Sequence, residues 1–169
     1  MIGWDHRIEH WVVAHRVGAL DPFVTAFTYA GTDGALWVVL AATVALAWRA
    51  PRVVVAVVAA ASVSQIAAAT LQALFGRARP NEVRLVSLPH SHSFPSGHAA
   101  TSFACATVLA SLIPRWRLPV IALAAAVAVS RLYVGVHYPS DVIAGALVGA
   151  AVGVGVLRAL RQLESSRRQ

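Results

Sequence analysis

Residues 53–75 read VVVAVVAAASVSQIAAATLQALF, a run without a single charged side chain. At ~1.5 Å per residue a helix of this length reaches ~34 Å, enough to cross a hydrocarbon layer of ~30 Å. Working outward from it, four more apolar segments appear: Gly34–Trp48, His98–Ile113, Leu118–Val136 and Val142–Leu157. The shorter ones must extend into their flanks, tolerate mismatch, or begin inside a polar cavity. The expected fold is therefore all-α, a polytopic transmembrane helix bundle of five or six spans, forming a single membrane-embedded domain over residues 1–169. A sixth span would draw on residues 11–20 and 22–30, where Gly31, Asp33 and Gly34 break the run. Near the start, Trp4, Ile8, Trp11 and Val12 recur at helical spacing among Asp5, Arg7, Glu9, His10 and Arg16. That pattern predicts an amphipathic N-terminal helix lying in the membrane interface.

Composition agrees with lipid as the solvent. The chain is 58% hydrophobic and 12% charged, with a mean hydropathy of +0.67; soluble domains carry roughly 25% charged residues. The net charge of +7 does not point to nucleic acid, because the arginines sit at the ends of apolar runs rather than on one soluble face. All fourteen basic residues are Arg. Cys105 is alone, so no intramolecular disulfide forms, and its place in an apolar run reads as a small core residue. No cleavable leader is expected, since Asp5, Arg7, Glu9 and Arg16 occupy the stretch that would have to be apolar. Gly145, Gly149 and Gly153 recur every four residues and predict close approach by another helix of the same chain. The number of subunits is not legible.

The connections set an orientation. Arg49 and Arg52, Arg115 and Arg117, then Arg158, Arg161, Arg167 and Arg168 all fall at one set of segment ends. By the positive-inside rule that side and the C-terminus are cytoplasmic, in a multi-pass protein of a bacterial cytoplasmic membrane. The loop from Gly76 to Gly97 and the turn around His137–Ser140 then share the outer face.

Those two connections hold the polar motifs. Arg131 lies inside an apolar run, where an ionisable side chain needs a polar cavity and a partner. His137 and Asp141 stand four apart with Pro139 between them, so a turn rather than a continuous helix must join them. A carboxylate on one ring nitrogen fixes the tautomer and frees the other nitrogen as a nucleophile. A neutral loop histidine beside a helix-capping Asp is the plainer alternative. Pro95, Ser96 and Gly97 lead straight into a helix, whose free N–H groups and dipole bind anions. His98 sits at the edge of that site, placed to donate a proton to a leaving group; an ordinary Ser cap with an incidental His is the competing reading. Arg79, and with it Arg77, offers a planar guanidinium to phosphate oxygens, or else snorkels to headgroups.

Together these segments resemble the signature of the type 2 phosphatidic acid phosphatase superfamily, in its membrane-bound lipid phosphatase branch. The family pattern is Lys, six residues, Arg-Pro; then Pro-Ser-Gly-His; then Ser-Arg, five residues, His, three residues, Asp. The chain carries Arg79-Pro80, Pro95-Ser96-Gly97-His98, and Ser130-Arg131 with His137 and Asp141 at matching spacing. It departs at position 72, where Gln72 replaces the Lys; Arg77 is the candidate to supply the missing charge.

The resemblance implies that His137 attacks phosphorus in line and forms a phosphohistidine, oriented by Asp141, while His98 protonates the leaving group and then activates water. Arg79, Arg131, Ser96, Gly97, Gln72 and Arg77 are the implied phosphate-binding set. No metal and no cofactor are expected, because arginines and a helix start supply the electrostatics. His90 and His92 raise a metal-site alternative, against the simpler reading of a solvated loop pair. The expected partners are a lipid phosphate substrate and membrane lipids, not nucleic acid. A polyprenyl diphosphate is the favoured substrate, with phosphatidic acid, phosphatidylglycerophosphate or a polyprenyl-phosphate sugar phosphate as others. A catalytically impaired lipid-phosphate binder or transporter is the alternative from another class.

Overall fold

The computed structural model describes residues 3–87 and 91–166. Seven α-helices follow in order: α1 Gly3–Ala14, α2 Asp21–Ala30, α3 Ala35–Trp48, α4 Arg52–Phe75, α5 Gly97–Leu112, α6 Arg117–Tyr133 and α7 Pro139–Ser166. The described residues form no strand. His90, Arg167 and Arg168 lie outside them.

The helix ends follow local chemistry. Proline opens or precedes several first turns, where its missing N–H costs nothing: Pro22 in α2, Pro119 in α6 and Pro139 in α7. At the far end of α4, Gly76 takes φ 60° and closes the helix through a bond from its N–H to the Gln72 carbonyl. The segment expected to run to Val136 stops at Tyr133, because Gly135 at φ 77° turns the chain away. α7, in contrast, extends well beyond the apolar stretch ending at Leu157, to Ser166.

α4, the Pro114–Tyr133 segment and α7 are long and apolar enough to cross a membrane. α2 with its preceding turn and α3 make a fourth crossing if counted as one helix pair, bent by 67° at the break. α5 has 16 residues and is shorter than α4, α6 and α7. It is also the central one, with Ala99, Ala100, Ala104, Cys105, Ala106, Val108 and Leu109 fully buried. Around it stand α4, α6 and α7, whose outward residues Ile66, Leu74, Leu118, Val129, Ile143 and Leu147 remain exposed. An apolar exterior around an apolar interior is the arrangement that lipid, not water, stabilises.

α5 and α7 touch backbone to backbone. A Cβ on Gly145 would meet the Ser96 carbonyl and Ala99, one on Gly149 the Ala100 backbone, and one on Gly153 Thr107 and the Ala104 carbonyl. The four-residue glycine spacing therefore serves packing within the chain. Because both helices start at the same end, this contact brings their N-termini together, and the Ser96 N–H donates to the Asp141 carbonyl at 2.9 Å.

At the N-terminus the structure adds which face of the helix is buried. α1 is helical, yet Asp5 and Glu9 are its buried residues, while Ile8 and Trp11 are exposed. Its acidic side faces the bundle and its apolar side faces outward.

Gly149→Ala should destabilise the fold, at a cost on the order of 1–3 kcal/mol, because the added carbon overpacks against backbone that cannot yield. Gly155→Ala meets nothing within 4 Å and should be neutral or slightly stabilising. Thermal unfolding in detergent checks the pair, and equal melting of the two variants would refute the close contact.

Candidate active site

Four helix ends converge on one side of the bundle: the C-terminal ends of α4 and α6 and the N-terminal ends of α5 and α7. The bend between α2 and α3 reaches in beside them. Between these elements lies a cavity of about 220 Å³, lined by Gly31, Gln65, Ala68, Ala69, Gln72, Arg79, Ser91, Gly97, His98, Thr101, Arg131 and His137. Three separate motifs of the sequence thus meet in one space.

Two buried cations define its character. Arg131 is 4% exposed and donates to the Thr28 hydroxyl at 2.7 Å, while its Nε finds no partner among the described residues. Arg79 is 9% exposed. Its guanidinium staples the loop before α5, donating to the Ser91 and His92 carbonyls, the Ser91 hydroxyl and the Val136 carbonyl at 2.8–3.0 Å. Burial draws its pKa down to about 10, which leaves it charged at neutral pH. Among the described residues no carboxylate lies within 4.0 Å of either guanidinium. Buried charges normally come paired, so a cavity holding two unpaired ones is built for an anion.

His137 stands against this pair. It is 2% exposed, and its Nε2 lies 3.0 Å from the Arg79 guanidinium, an N–H donor with no acceptor capacity. Nε2 must therefore carry a lone pair, which puts the ring proton on Nδ1. Nδ1 faces Asp141 Oδ2 at 3.5 Å, close enough for attraction but longer than a formed hydrogen bond. Burial lowers the His137 pKa to about 4, opposed by Asp141 and reinforced by Arg79 and Arg131. A neutral imidazole with the Nε2 lone pair turned toward two cations has the form that a nucleophile toward phosphorus requires.

Asp141 is fully buried and accepts the Tyr138 N–H at 2.9 Å, capping the start of α7. His98 lies in the first turn of α5 and faces the cavity, its Nε2 3.4 Å from the Thr32 hydroxyl. Gly97 also lines the cavity, at the N-terminus of α5.

Other expected residues sit differently. Ser96 caps α5, its hydroxyl accepting the Ala99 N–H at 3.4 Å, and does not line the cavity. Gln72 does line it, but its amide nitrogen is engaged at 2.9 Å with the Pro95 carbonyl. Arg77 corrects the expectation most clearly. It points away from the cavity and holds Asp141 at 2.6 Å, Ser140 at 2.7 Å and Asp5 at 2.8 Å, with the Tyr138 ring beneath it. Its charge is spent on two carboxylates, so it does not replace a cation at position 72. His92 contributes its carbonyl to Arg79, and no group of three or more His, Cys, Asp or Glu among the described residues could hold a metal ion. The sequence reading overlooked Thr28, Gly31, Gln65, Ser91, Thr101 and Asp5. Of these only Gln65, a polar residue deep in an apolar helix, gave a signal that could have been followed.

Residues 36–164 match the family model described as the PAP2 superfamily. The chain is 39% identical over 139 residues to a decaprenylphosphoryl-5-phosphoribose phosphatase of Mycolicibacterium smegmatis, covering 79% of this chain and 74% of that one. It is 42% identical over 96 residues to a lipid A 1-phosphatase of Rhizobium johnstonii, covering 52% of this chain but only 39% of the relative's length. Among solved structures, LpxE of Aquifex aeolicus superimposes with a TM-score of 0.79 at 27% identity, covering 93% of this chain and 96% of that one.

The depressed His137 pKa has a measurable consequence. With about 4 in the folded state against 6.5 unfolded, its contribution to stability is complete above pH 6.5 and is lost as pH falls toward 4. The effect is on the order of 3 kcal/mol. Melting of wild-type protein in detergent should weaken between pH 7 and 4.5 by more than that of His137→Gln, and matching pH slopes would contradict the buried neutral imidazole.

Proposed function

The chain belongs to the PAP2 superfamily, and on that premise we propose that it is a metal-independent membrane phosphatase removing the terminal phosphate from a polyprenyl-linked lipid. The observation carrying this reading is the pair of buried guanidinium groups, Arg79 and Arg131, without carboxylate partners among the described residues and beside a neutral His137. A phosphate entering the cavity supplies the missing negative charge. His137 Nε2 attacks phosphorus, the P–O bond to the lipid breaks, and the departing oxygen takes a proton from His98. Water, deprotonated by His98, then attacks the phosphohistidine and releases inorganic phosphate and the free imidazole. The equatorial oxygens are held by Arg79, Arg131 and the Gly97 N–H at the start of α5.

One of the relatives supports this choice of lipid class. The mycobacterial enzyme shares the longer alignment, and its name describes a phosphate on a polyprenyl-linked sugar. A polyprenyl diphosphate presents the same terminal group on the same kind of tail, so both belong to the proposed class, ahead of phosphatidic acid and phosphatidylglycerophosphate. The alternative of a non-catalytic lipid-phosphate binder is not favoured by Gln72, whose amide braces the turn entering α5.

The proposed topology is a single domain with five crossings, α3 to α7, and α1 lying in the interface with Trp11 toward lipid. A helix of 16 residues covers ~24 Å, so α5 starts within the bilayer, at the floor of the cavity. Arg49, Arg52, Arg115, Arg117, Arg158 and Arg161 are all exposed at the opposite end. The arginines on the site side are largely engaged: Arg77, Arg79 and Arg131 internally, and Arg16 with the Tyr133 and Val83 carbonyls. This excess of exposed positive charge at the end away from the site supports a cytoplasmic placement of that end and an outward-facing site.

Phosphate release from purified protein tests the reading. Wild type should turn over a polyprenyl diphosphate or polyprenyl-phosphate sugar phosphate faster than phosphatidic acid, and a chelator should leave the rate unchanged. His137→Ala should abolish turnover, a loss of at least about a thousandfold. Gln72→Lys should leave the rate unchanged or raise it. Lipid-phosphate binding without turnover by the wild type would establish the binder instead. For topology, a membrane-impermeant maleimide should label Val83→Cys in intact cells and Ser165→Cys only after permeabilisation; the reverse pattern would invert the proposed orientation.

A further inference from the structure

Asp5 belongs to none of the motifs, yet it is fully buried against them. Its Oδ1 accepts the Ser140 N–H at 2.9 Å, and its Oδ2 accepts the Ser140 hydroxyl at 2.6 Å and the Arg77 guanidinium at 2.8 Å. Arg77 in turn holds Asp141 Oδ1 at 2.6 Å, and the other oxygen of Asp141 faces His137. One guanidinium therefore bridges two buried carboxylates, one from α1 and one from α7. Burial alone would raise the Asp5 pKa, but the hydrogen bonds from Ser140 and Arg77 outweigh it and hold the group below the ordinary carboxylate range.

We propose, building on the phosphatase reading, that Asp5 is a positioning residue for the reaction: through Arg77 it sets the negative charge that Asp141 presents to His137. The argument is one of charge. Two carboxylates and one guanidinium leave a net charge of minus one beside the imidazole, the value a lone Asp141 would supply. Without Asp5, Arg77 would neutralise Asp141 completely, and the cationic character that develops on His137 as it bonds to phosphorus would lose its counter-charge. The other groups facing this network are Arg79 from the loop, His137 and Tyr138 from the α6–α7 connection, and His6 and Glu9 from α1. Of these, Arg79 is the nearby cation that makes the anionic balance necessary. α1 is thereby more than a membrane anchor, since it completes the electrostatics of the site from the other end of the chain.

A double-variant cycle tests the proposal. Asp5→Asn keeps a carbonyl for the Ser140 N–H but makes the network neutral, and should lower kcat about tenfold or more with KM changed less than about threefold. Arg77→Gln leaves two adjacent anions and should also lower kcat. Asp5→Asn with Arg77→Gln restores the net charge of minus one and should recover kcat to within about threefold of wild type. If Asp5 served only to dock α1, the double variant would be no better than either single one; that result, or an Asp5→Asn enzyme with wild-type kcat, would overturn the proposal while leaving the phosphatase reading intact. A wild type that releases no phosphate from any lipid would overturn both.

Discussion

The backbone contact between α5 and α7 is the constraint on which the rest of the molecule depends. Helices whose side chains interdigitate lie 8–10 Å apart, whereas Gly145, Gly149 and Gly153 leave room only for the opposing chain itself. In lipid no hydrophobic effect drives helices together, so close packing of this kind carries much of the association. Its functional consequence is registration. With the two helices fixed side by side from their first turns, the N–H-rich start of α5 and the His137–Asp141 turn at the start of α7 cannot drift apart. The Ser96 to Asp141 backbone bond closes the same joint. A site assembled from the ends of helices would otherwise inherit the fraying of every end.

A second constraint is electrostatic. The bundle gathers its buried ion pairs and buried arginines in one place: Arg77, Arg79, Arg131, Asp5 and Asp141 are all buried or nearly so at the same end. They divide into two systems. Asp5, Arg77 and Asp141 are mutually paired and nearly saturated with hydrogen bonds, which makes them a rigid support. Arg79 and Arg131 have hydrogen-bond partners but no counter-ions among the described residues, which makes them receptive. An unpaired buried cation is costly, and the protein tolerates two because a bound phosphate would relieve both at once. Both receptive guanidinium groups thus lie at one end of the bundle, where on the proposed reading the membrane would position a substrate's tail and the cavity would handle only its phosphate.

How much of this was legible in the sequence depended on whether a residue's environment is set locally. The five long helices lie where the apolar runs place them, because lipid selects for length and composition alone; Gly135 shortened one of them by a turn whose φ no hydropathy reading can see. The spacing of Arg131, His137 and Asp141 fixed a turn, and the structure brings that turn to the cavity with Arg79, Gly97 and His98. Two residues and one helix read less well. Arg77 and Ser96 stand inside the right motifs but turn to Asp141 and to the Ala99 N–H, since each is nearer to those partners than to the cavity. α1 was read by its apolar stripe, as an interfacial helix would be. Its buried side is the acidic one, a choice made by Arg77 and Ser140, whose location over α1 exists only once the bundle has folded.

That acidic contact explains why a pattern at the start of the chain belongs to the same physical problem as the motifs more than seventy residues later. An isolated amphipathic helix of 12 residues is marginal in water, and on a membrane its apolar face alone would let it slide in the interfacial plane. Two hydrogen bonds to Ser140 and an ion pair to Arg77 fix it at one point. Tyr133, which donates to the Val17 carbonyl and to Asp21, and Arg16, which reaches the Tyr133 carbonyl, fix the following turn to the end of α6. The N-terminal segment is thereby tied to both helices that flank His137. Any movement of α1 must be felt at Asp141 and at the α6–α7 turn together, so this side of the site is held by the least apolar of the helices.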